Sequence, residues 1–241
     1  MQLTNFSVLT FDCYGTLIDW ESGIINALEP LLAQAKGRIG REQALEAFAR
    51  LESAQEAATP DMLYPDVLAT VHRQLASEWG LQASEADHIA FGRSVGDWPA
   101  FPDSAEALAY LKKHYKLVIL SNVDHGSFAR SNERLGVEFD HVFTAQDIGS
   151  YKPDPRNFAY LLDRLADLGT EKREILHVAQ SLFHDHVPAQ AAGLTTAWID
   201  RRVGQEGFGA TMPPPNMPRP DFRFDSMEGL ANAHRASFRS A

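Results

Sequence analysis

The chain has 241 residues, 44% of them hydrophobic, which is enough for one large core or for a core carrying an inserted subdomain. The formal net charge is -10 and no Lys/Arg cluster is long enough to follow a phosphate backbone, so neither nucleic acid nor an anionic membrane surface is an expected partner. No apolar stretch approaches the ~20 residues of a membrane span. The opening "MQLTNFSVLTFD" lacks a basic n-region and a cleavage site, and the single cysteine, Cys13, excludes an internal disulfide; together these predict a cytoplasmic protein.

Short apolar runs rich in β-branched residues recur along the chain, each ending in turn residues or a polar pair. They are Val8 to Phe11, Lys116 to Asn122, His141 to Gln146, Ile175 to Gln180 and Thr195 to Asp200. Hydrophobicity that is continuous rather than alternating predicts strands covered on both faces, as in a parallel sheet. Helical patterns lie between them. "PDSAEALAYLKKH" opens on a cap signal and spaces Leu108, Leu111 and Tyr115 as a helix would, and "NFAYLLDRLADLG" does the same with Leu161, Leu162, Leu165 and Leu168 before Gly169. This alternation predicts a doubly wound, Rossmann-like α/β sheet. From about Trp20 to Gly96 only helical patterns occur, which predicts a helical cap inserted after the first strand. The expected organisation is a first core part over 1–19, a cap over 20–97 and a second core part over 98–241. The proline-rich run Thr211 to Asp221 suits an ordered loop.

Four polar groups stand at or just past predicted strand ends: Asp12, Ser121 with Asn122, Lys152 and Asp185. In a parallel sheet such positions converge on one crevice. A carboxylate, a hydroxyl, an amine and a second carboxylate suit covalent catalysis. Asp12 attacks, Lys152 neutralises and orients it, and Asp185 helps water attack the resulting ester. Each residue taken singly also reads as a turn or capping residue, so the inference rests on the set.

With "FDCYGTLID", "LVILSN", "YKPDP" and "HVAQSLFHDHVPAQAAGL" in this order and a helical insert after the first, the chain resembles the haloacid dehalogenase superfamily. The resemblance puts the nucleophile on Asp12, the family's serine or threonine on Ser121, its lysine on Lys152 and a late carboxylate on Asp185. Most of that superfamily moves phosphoryl groups with Mg²⁺ and has a second aspartate where this chain has Tyr14, whose phenol, with an ordinary pKa of ~10, is no general acid at neutral pH. Gln180 stands where such enzymes have a metal-ligating aspartate. Since Mg²⁺ prefers hard anionic oxygens, the site is predicted to use no metal and no other cofactor.

The D-x-Y-G-T opening resembles the 2-haloacid dehalogenase branch, which implies displacement of a leaving group from C2 of a short carboxylic acid. A small-molecule carboxylate is then the expected partner, held by backbone N–H groups near Ser121 and Asn122 at a helix start. Tyr14, Thr16, Trp98, Phe158, Gln180, His184 and an arginine from the cap, first of all Arg50 with Arg38 or Arg41 in reserve, are candidates for lining the pocket. The sequence is also similar to the L-azetidine-2-carboxylate hydrolases, whose leaving group is a ring amine. There Glu52, Gln55, His177, His184 and His186 become relevant. Cys13 reads as core, the Glu/Arg alternation of the cap helices as solvated surface, and pairing of two chains stays open.

Overall fold

The computed structural model describes residues 1–238. The last three residues of the predicted second core part lie outside them. Strand β1 (Val8–Phe11) is buried at every position, as its uninterrupted apolar run requires. Strands β2 (Lys116–Ser121), β3 (His141–Thr144), β4 (Ile175–Ala179), β5 (Thr195–Ile199) and β6 (Phe222–Phe224) complete a six-stranded sheet in the order β3-β2-β1-β4-β5-β6. Every pairing is parallel. The chain steps from β1 to β2 on one side and later to β4 on the other, so a crevice opens above the C-terminal end of β1, between outward-winding halves.

Between β1 and β2 the chain makes α1 (Trp20–Leu32), α2 (Arg41–Ala58), α3 (Tyr64–Trp79), α4 (Glu85–Gly92) and α5 (Ser104–Leu111). The first four form the helical cap. Helix α1 begins at Asp19, whose side chain accepts from Ser22 N, and α3 begins with Tyr64-Pro65, where the missing proline N–H costs nothing. The rest is α6 (His125–Leu135), α7 (Ala145–Ile148), α8 (Pro155–Asp167), α9 (Val187–Ala191) and α10 (Met227–Ser237). Among the described residues no helix is long and apolar enough to cross a membrane.

The fold is the expected one, with local differences that have physical reasons. Strand β3 stops at Thr144 rather than Gln146, because Thr144 and Asp147 form a capping box that turns the next residues into α7. Leu168 falls just beyond α8 and is exposed, whereas Leu161 and Leu165 are buried. The short edge strand β6 follows the proline-rich loop and has only the three-residue pattern Phe-Arg-Phe, too brief for a periodicity argument.

The cap rejoins the core at Trp98, which is 1% exposed and packs edge-on against Tyr14 with ring centroids 5.7 Å apart. Gly23 of α1 lies flat against the Trp98 indole, where a Cβ would overlap the ring. Overpacking a dry contact of this kind forces side chains off their rotamers. Gly23→Ala is therefore expected to destabilise the protein by about 1–3 kcal/mol, read as a lower urea midpoint with an unchanged slope.

Candidate active site

Asp12 directly follows β1, and its N–H still pairs with Val178 O of β4 at 3.1 Å, so the side chain is fixed at the strand's mouth. The following turn closes with Leu17 N and Ile18 N on Cys13 O at 2.8 and 3.0 Å; it needs Gly15, whose φ of 93° disfavours a side chain. The turn brings Thr16 under the carboxylate. Thr16 Oγ1–H donates to Asp12 Oδ2 at 2.8 Å and itself accepts from Gln180 N at 2.9 Å, so its rotor is locked.

Lys152 is 1% exposed, and its three N–H donors are all engaged. They go to Asp12 Oδ1 at 2.9 Å, Asp185 Oδ1 at 2.7 Å and Leu120 O at the end of β2 at 2.9 Å. Its backbone is clamped from both sides by one side chain: Lys152 N donates to Asn122 Oδ1 at 2.7 Å and Asn122 Nδ2 donates to Lys152 O at 2.9 Å. Asp185 sits in the tight π-type turn Leu182–His186, where Asp185 N and His186 N both bond Ser181 O. Its Oδ1 also meets His177 Nε2 at 3.0 Å, while His177 Nδ1 meets Thr10 Oγ1 at 2.9 Å. The consistent assignment has Thr10 donating to Nδ1 and Nε2–H donating to Asp185.

These contacts set the charges. Burial pushes the Asp12 carboxyl above its usual range, and the Lys152 and Thr16 bonds resist that push. Burial would also raise Asp185, but Lys152 and His177 outweigh it and hold that carboxyl below the ordinary range. The Lys152 ammonium, which burial alone would discharge, is kept charged by the two carboxylates. His184 is pushed down to about 4 by burial, so its imidazole is neutral at neutral pH.

Above Asp12 lies a cavity of about 20 Å³, room for roughly one water molecule. Asp12, Ser121, Lys152, His184 and Asp185 line it from the core, with Asn122, Ser181 and Tyr14; Trp20, Glu52, Glu56 and Tyr64 close it from the cap. Ser121 Oγ, His184 Nε2 and Asp185 Oδ2 are buried here without a hydrogen-bond partner among the described residues. A carboxylate held at the cavity wall, a fixed ammonium and unengaged polar atoms in one small closed space suit nucleophilic substitution followed by hydrolysis.

The sequence pattern of the haloacid dehalogenase-like hydrolases matches residues 6–193. The chain belongs to this family. Among its relatives, an (S)-2-haloacid dehalogenase of Pseudomonas putida is 28% identical over 214 residues, covering 84% of this chain and 88% of the relative. (S)-2-haloacid dehalogenase 4A of Burkholderia cepacia is 30% identical over 201 residues, covering 80% and 82%. The solved L-2-haloacid dehalogenase of Xanthobacter autotrophicus shares the fold with a TM-score of 0.73 at 22% identity, over 95% of this chain and 98% of that one.

Several side chains expected in the pocket of this haloacid dehalogenase-like hydrolase lie elsewhere. Arg50 is on the outer face of α2 and pairs with Glu78 at 2.6 Å, since its helical position points away from α1 and the core. Arg38 donates to Ala35 O, and Arg41 stands 3.8 Å from Glu21 beside a separate cavity of about 270 Å³. Gln180 lines that second cavity, which shares Trp20 with the first, and does not line the first. Phe158 packs edge-on against His177 within the apolar cluster of α8 and is closed off from Asp12. Trp98 supports Tyr14 from behind. The helix after Asn122 starts at His125 with Asp124 as its cap, and Asp124 already accepts from Ser127 N, so that end is no free anion cradle.

Trp20, Glu56, Tyr64 and Ser181 were not singled out from sequence, and Glu52 only for a ring-amine leaving group. The expectation that cap glutamates are solvated surface fails at Glu52 and Glu56, which are 2% and 4% exposed. Their i, i+4 spacing on an alanine-rich helix face was the available signal.

The charge arrangement makes a directional prediction. If Asp12 attacks as the carboxylate, kcat/KM is expected to fall as pH drops through its pKa, at a pH above that of an ordinary aspartate. Lys152→Met removes the nearest charge that favours the anion. It should move this acid limb to higher pH and lower kcat roughly 10²–10³-fold at pH 7, read from the pH–rate profile.

Proposed function

We propose that the protein hydrolyses the bond from C2 of a short 2-substituted carboxylic acid to its leaving group, through an ester on Asp12. The observation that carries this reading is the Asp12–Lys152–Asp185 array under a nearly closed cavity, with Thr16 fixing one Asp12 oxygen and Lys152 the other. An Asp12 oxygen attacks C2 in line, and the leaving group departs with its bonding pair. Water then attacks the Asp12 carbonyl carbon, the ester opens, and the 2-hydroxy acid leaves with the carboxylate restored. Ser121 Oγ, unengaged at the strand end, is suited to donate to the substrate carboxylate. Asp185 Oδ2 and His184 Nε2 are the unengaged acceptor and ring nitrogen beside the hydrolytic water's path.

The relatives named (S)-2-haloacid dehalogenases supply halide as the first leaving group to consider. A ring amine, as in azetidine-2-carboxylate, is a second, favoured by the glutamates of the cap wall. A Mg²⁺-dependent phosphatase suits this site poorly. Lys152 Nζ already bridges the two carboxylates from which a divalent ion would be hung. Among the described residues no group of three or more His, Cys, Asp or Glu side chains is disposed to hold a metal.

The test is a single turnover in heavy-oxygen water with 2-chloropropionate and azetidine-2-carboxylate in parallel, followed by mass analysis of the Asp12 peptide. Label in Asp12 is the expected result, with loss of roughly 10⁴-fold or more in turnover for Asp12→Asn. Undiminished activity of that variant would rule the mechanism out.

A further inference from the structure

The turn after β4 brings two titratable side chains to the cavity, His184 as well as Asp185. Ser181 Oγ accepts from His184 N at 2.9 Å, and the same oxygen lies 3.3 Å from His184 Nδ1. One hydroxyl therefore fixes both the backbone and the ring of His184. Phe183 steadies the ring from its edge, with centroids 4.9 Å apart. His184 is buried, and its Nε2 has no partner among the described residues. A ring nitrogen left so at the wall of a closed cavity is costly unless something admitted to that cavity completes it.

The other titratable groups around the cavity are Asp12, Lys152 and Asp185 from the core and Glu52, Glu56 and Tyr64 from the cap. Few of them are free to take a proton from water. Burial raises Glu52 to about 8, and burial together with Glu52 raises Glu56, so both hold protons at neutral pH. Asp12 is consumed once it is esterified. Asp185 Oδ1 receives Lys152 Nζ at 2.7 Å and His177 Nε2 at 3.0 Å. Burial would raise its carboxyl, but Lys152 and His177 outweigh burial and leave Asp185 a weak base. The ester stage sharpens the contrast. With Asp12 uncharged, Asp185 is the one of the two carboxylates on Lys152 that still balances it. A proton moved onto Asp185 removes that counter-charge, whereas a proton moved onto His184 makes a cation beside the Asp185 anion. His184, pushed down to about 4 by burial, starts neutral with a lone pair to offer.

We propose that His184 is the general acid–base residue for hydrolysis of the Asp12 ester, that Ser181 is its positioning residue, and that Asp185 orients the water without taking its proton. The proposal rests on the C2-substitution reading and holds whichever group leaves C2. Nδ1–H donates to Ser181 Oγ, which leaves the lone pair on Nε2. The cavity of about 20 Å³ has room for roughly one water beside Asp12, His184 and Asp185. That water donates one O–H to Asp185 Oδ2 and the other to His184 Nε2. Its oxygen bonds to the Asp12 carbonyl carbon as Nε2 takes the second proton. The C=O pair moves onto the carbonyl oxygen, which stays on either Lys152 or Thr16, the donors to the two Asp12 oxygens. Collapse then breaks the bond from the carbonyl carbon to the oxygen on C2. That oxygen keeps the pair and recovers the proton from His184. Asp12 is left as the acid and loses its proton through His184 to solvent. The hydrolysis consumes one water and releases one proton, and it needs no other reactant.

The test separates the two half-reactions on the full chain, with 2-chloropropionate and azetidine-2-carboxylate in parallel. Rapid quenching of a single turnover gives loss of substrate as the first half, and mass analysis of the Asp12 peptide gives the ester. In His184→Ala the first half is expected to stay within about threefold of the wild type, while decay of the ester slows roughly 10²–10³-fold, so the ester accumulates. Added imidazole should speed that decay about tenfold or more, in proportion to its neutral form. His184→Gln fills the same space without a basic nitrogen, should accumulate the ester equally, and decides the matter if the alanine variant does not fold. Ser181→Ala should slow ester decay roughly tenfold and leave the first half alone. Ester decay at the wild-type rate in the His184 variants overturns the proposal. So does equal slowing of both halves, which is the mark of a structural role, or a folded alanine variant that imidazole does not rescue. If the wild type forms the ester and the variants clear it normally, the C2 reading stands and only the role of His184 falls. If the wild type forms no ester from either substrate, the C2 reading itself falls.

Discussion

Lys152 carries an ammonium to a place where its side chain is 1% exposed, and the surrounding chain is arranged to make that charge tolerable. Moving such an ion out of water costs several kcal/mol, as does burying each carboxylate. At an effective dielectric constant near 20, each of its two carboxylate contacts returns about 5–6 kcal/mol of Coulomb attraction. Neither pair alone would offset the burial of three charges by a wide margin. The triad, with Leu120 O, Thr16 and His177 engaging further donors and lone pairs, is the arrangement in which none of the three is left with an uncompensated charge.

That constraint reaches into the fold. The three charged residues belong to segments far apart in sequence, and only the strand order brings them together: β1 delivers Asp12, its neighbour β2 supplies the Leu120 carbonyl, and its other neighbour β4 leads to Asp185. Asn122 ties the end of β2 to the backbone of Lys152, so the ammonium cannot drift from the strand ends. Thr10 lies inside β1, where an apolar residue would pack as well, and bonds His177, which orients Asp185. The sheet interior beneath the site is therefore polar along one line of contacts. The cost of burying that line is met because each side chain in it satisfies the next.

The sheet was legible in the sequence because buried parallel strands leave an unmistakable mark: Val8–Phe11 and Ile175–Ala179 carry apolar runs with turn chemistry after them. The core half of the site was legible for the same reason. Asp12, Ser121, Lys152 and Asp185 sit at or near ends that the hydrophobic pattern already defines. The cap half was not. A helix presents a residue every 100°, and whether Arg50 or Glu56 faces inward depends on how α2 rolls against α1 and α3, which composition does not encode. The resemblance pointed to the arginine and the Glu/Arg alternation pointed the glutamates to solvent, yet at this helix Arg50 is paired outside and Glu52 and Glu56 are buried. Phe158 shows a different limit. An aromatic residue near the lysine loop reads as pocket lining, but α8 turns it toward His177 and into the core.

The two halves of the site answer to different physics. On the core side the charges must balance in the absence of substrate, because Asp12, Lys152 and Asp185 are buried together whether or not the site is filled. Their geometry is therefore tied to folding itself. On the cap side Glu52 and Glu56 remain tolerable without a ligand by holding protons, since a neutral carboxyl is far cheaper to bury than an anion. Such a wall belongs to the inserted cap and can change without endangering the sheet. The inner face of α2 can therefore change while the charge triad beneath it stays intact.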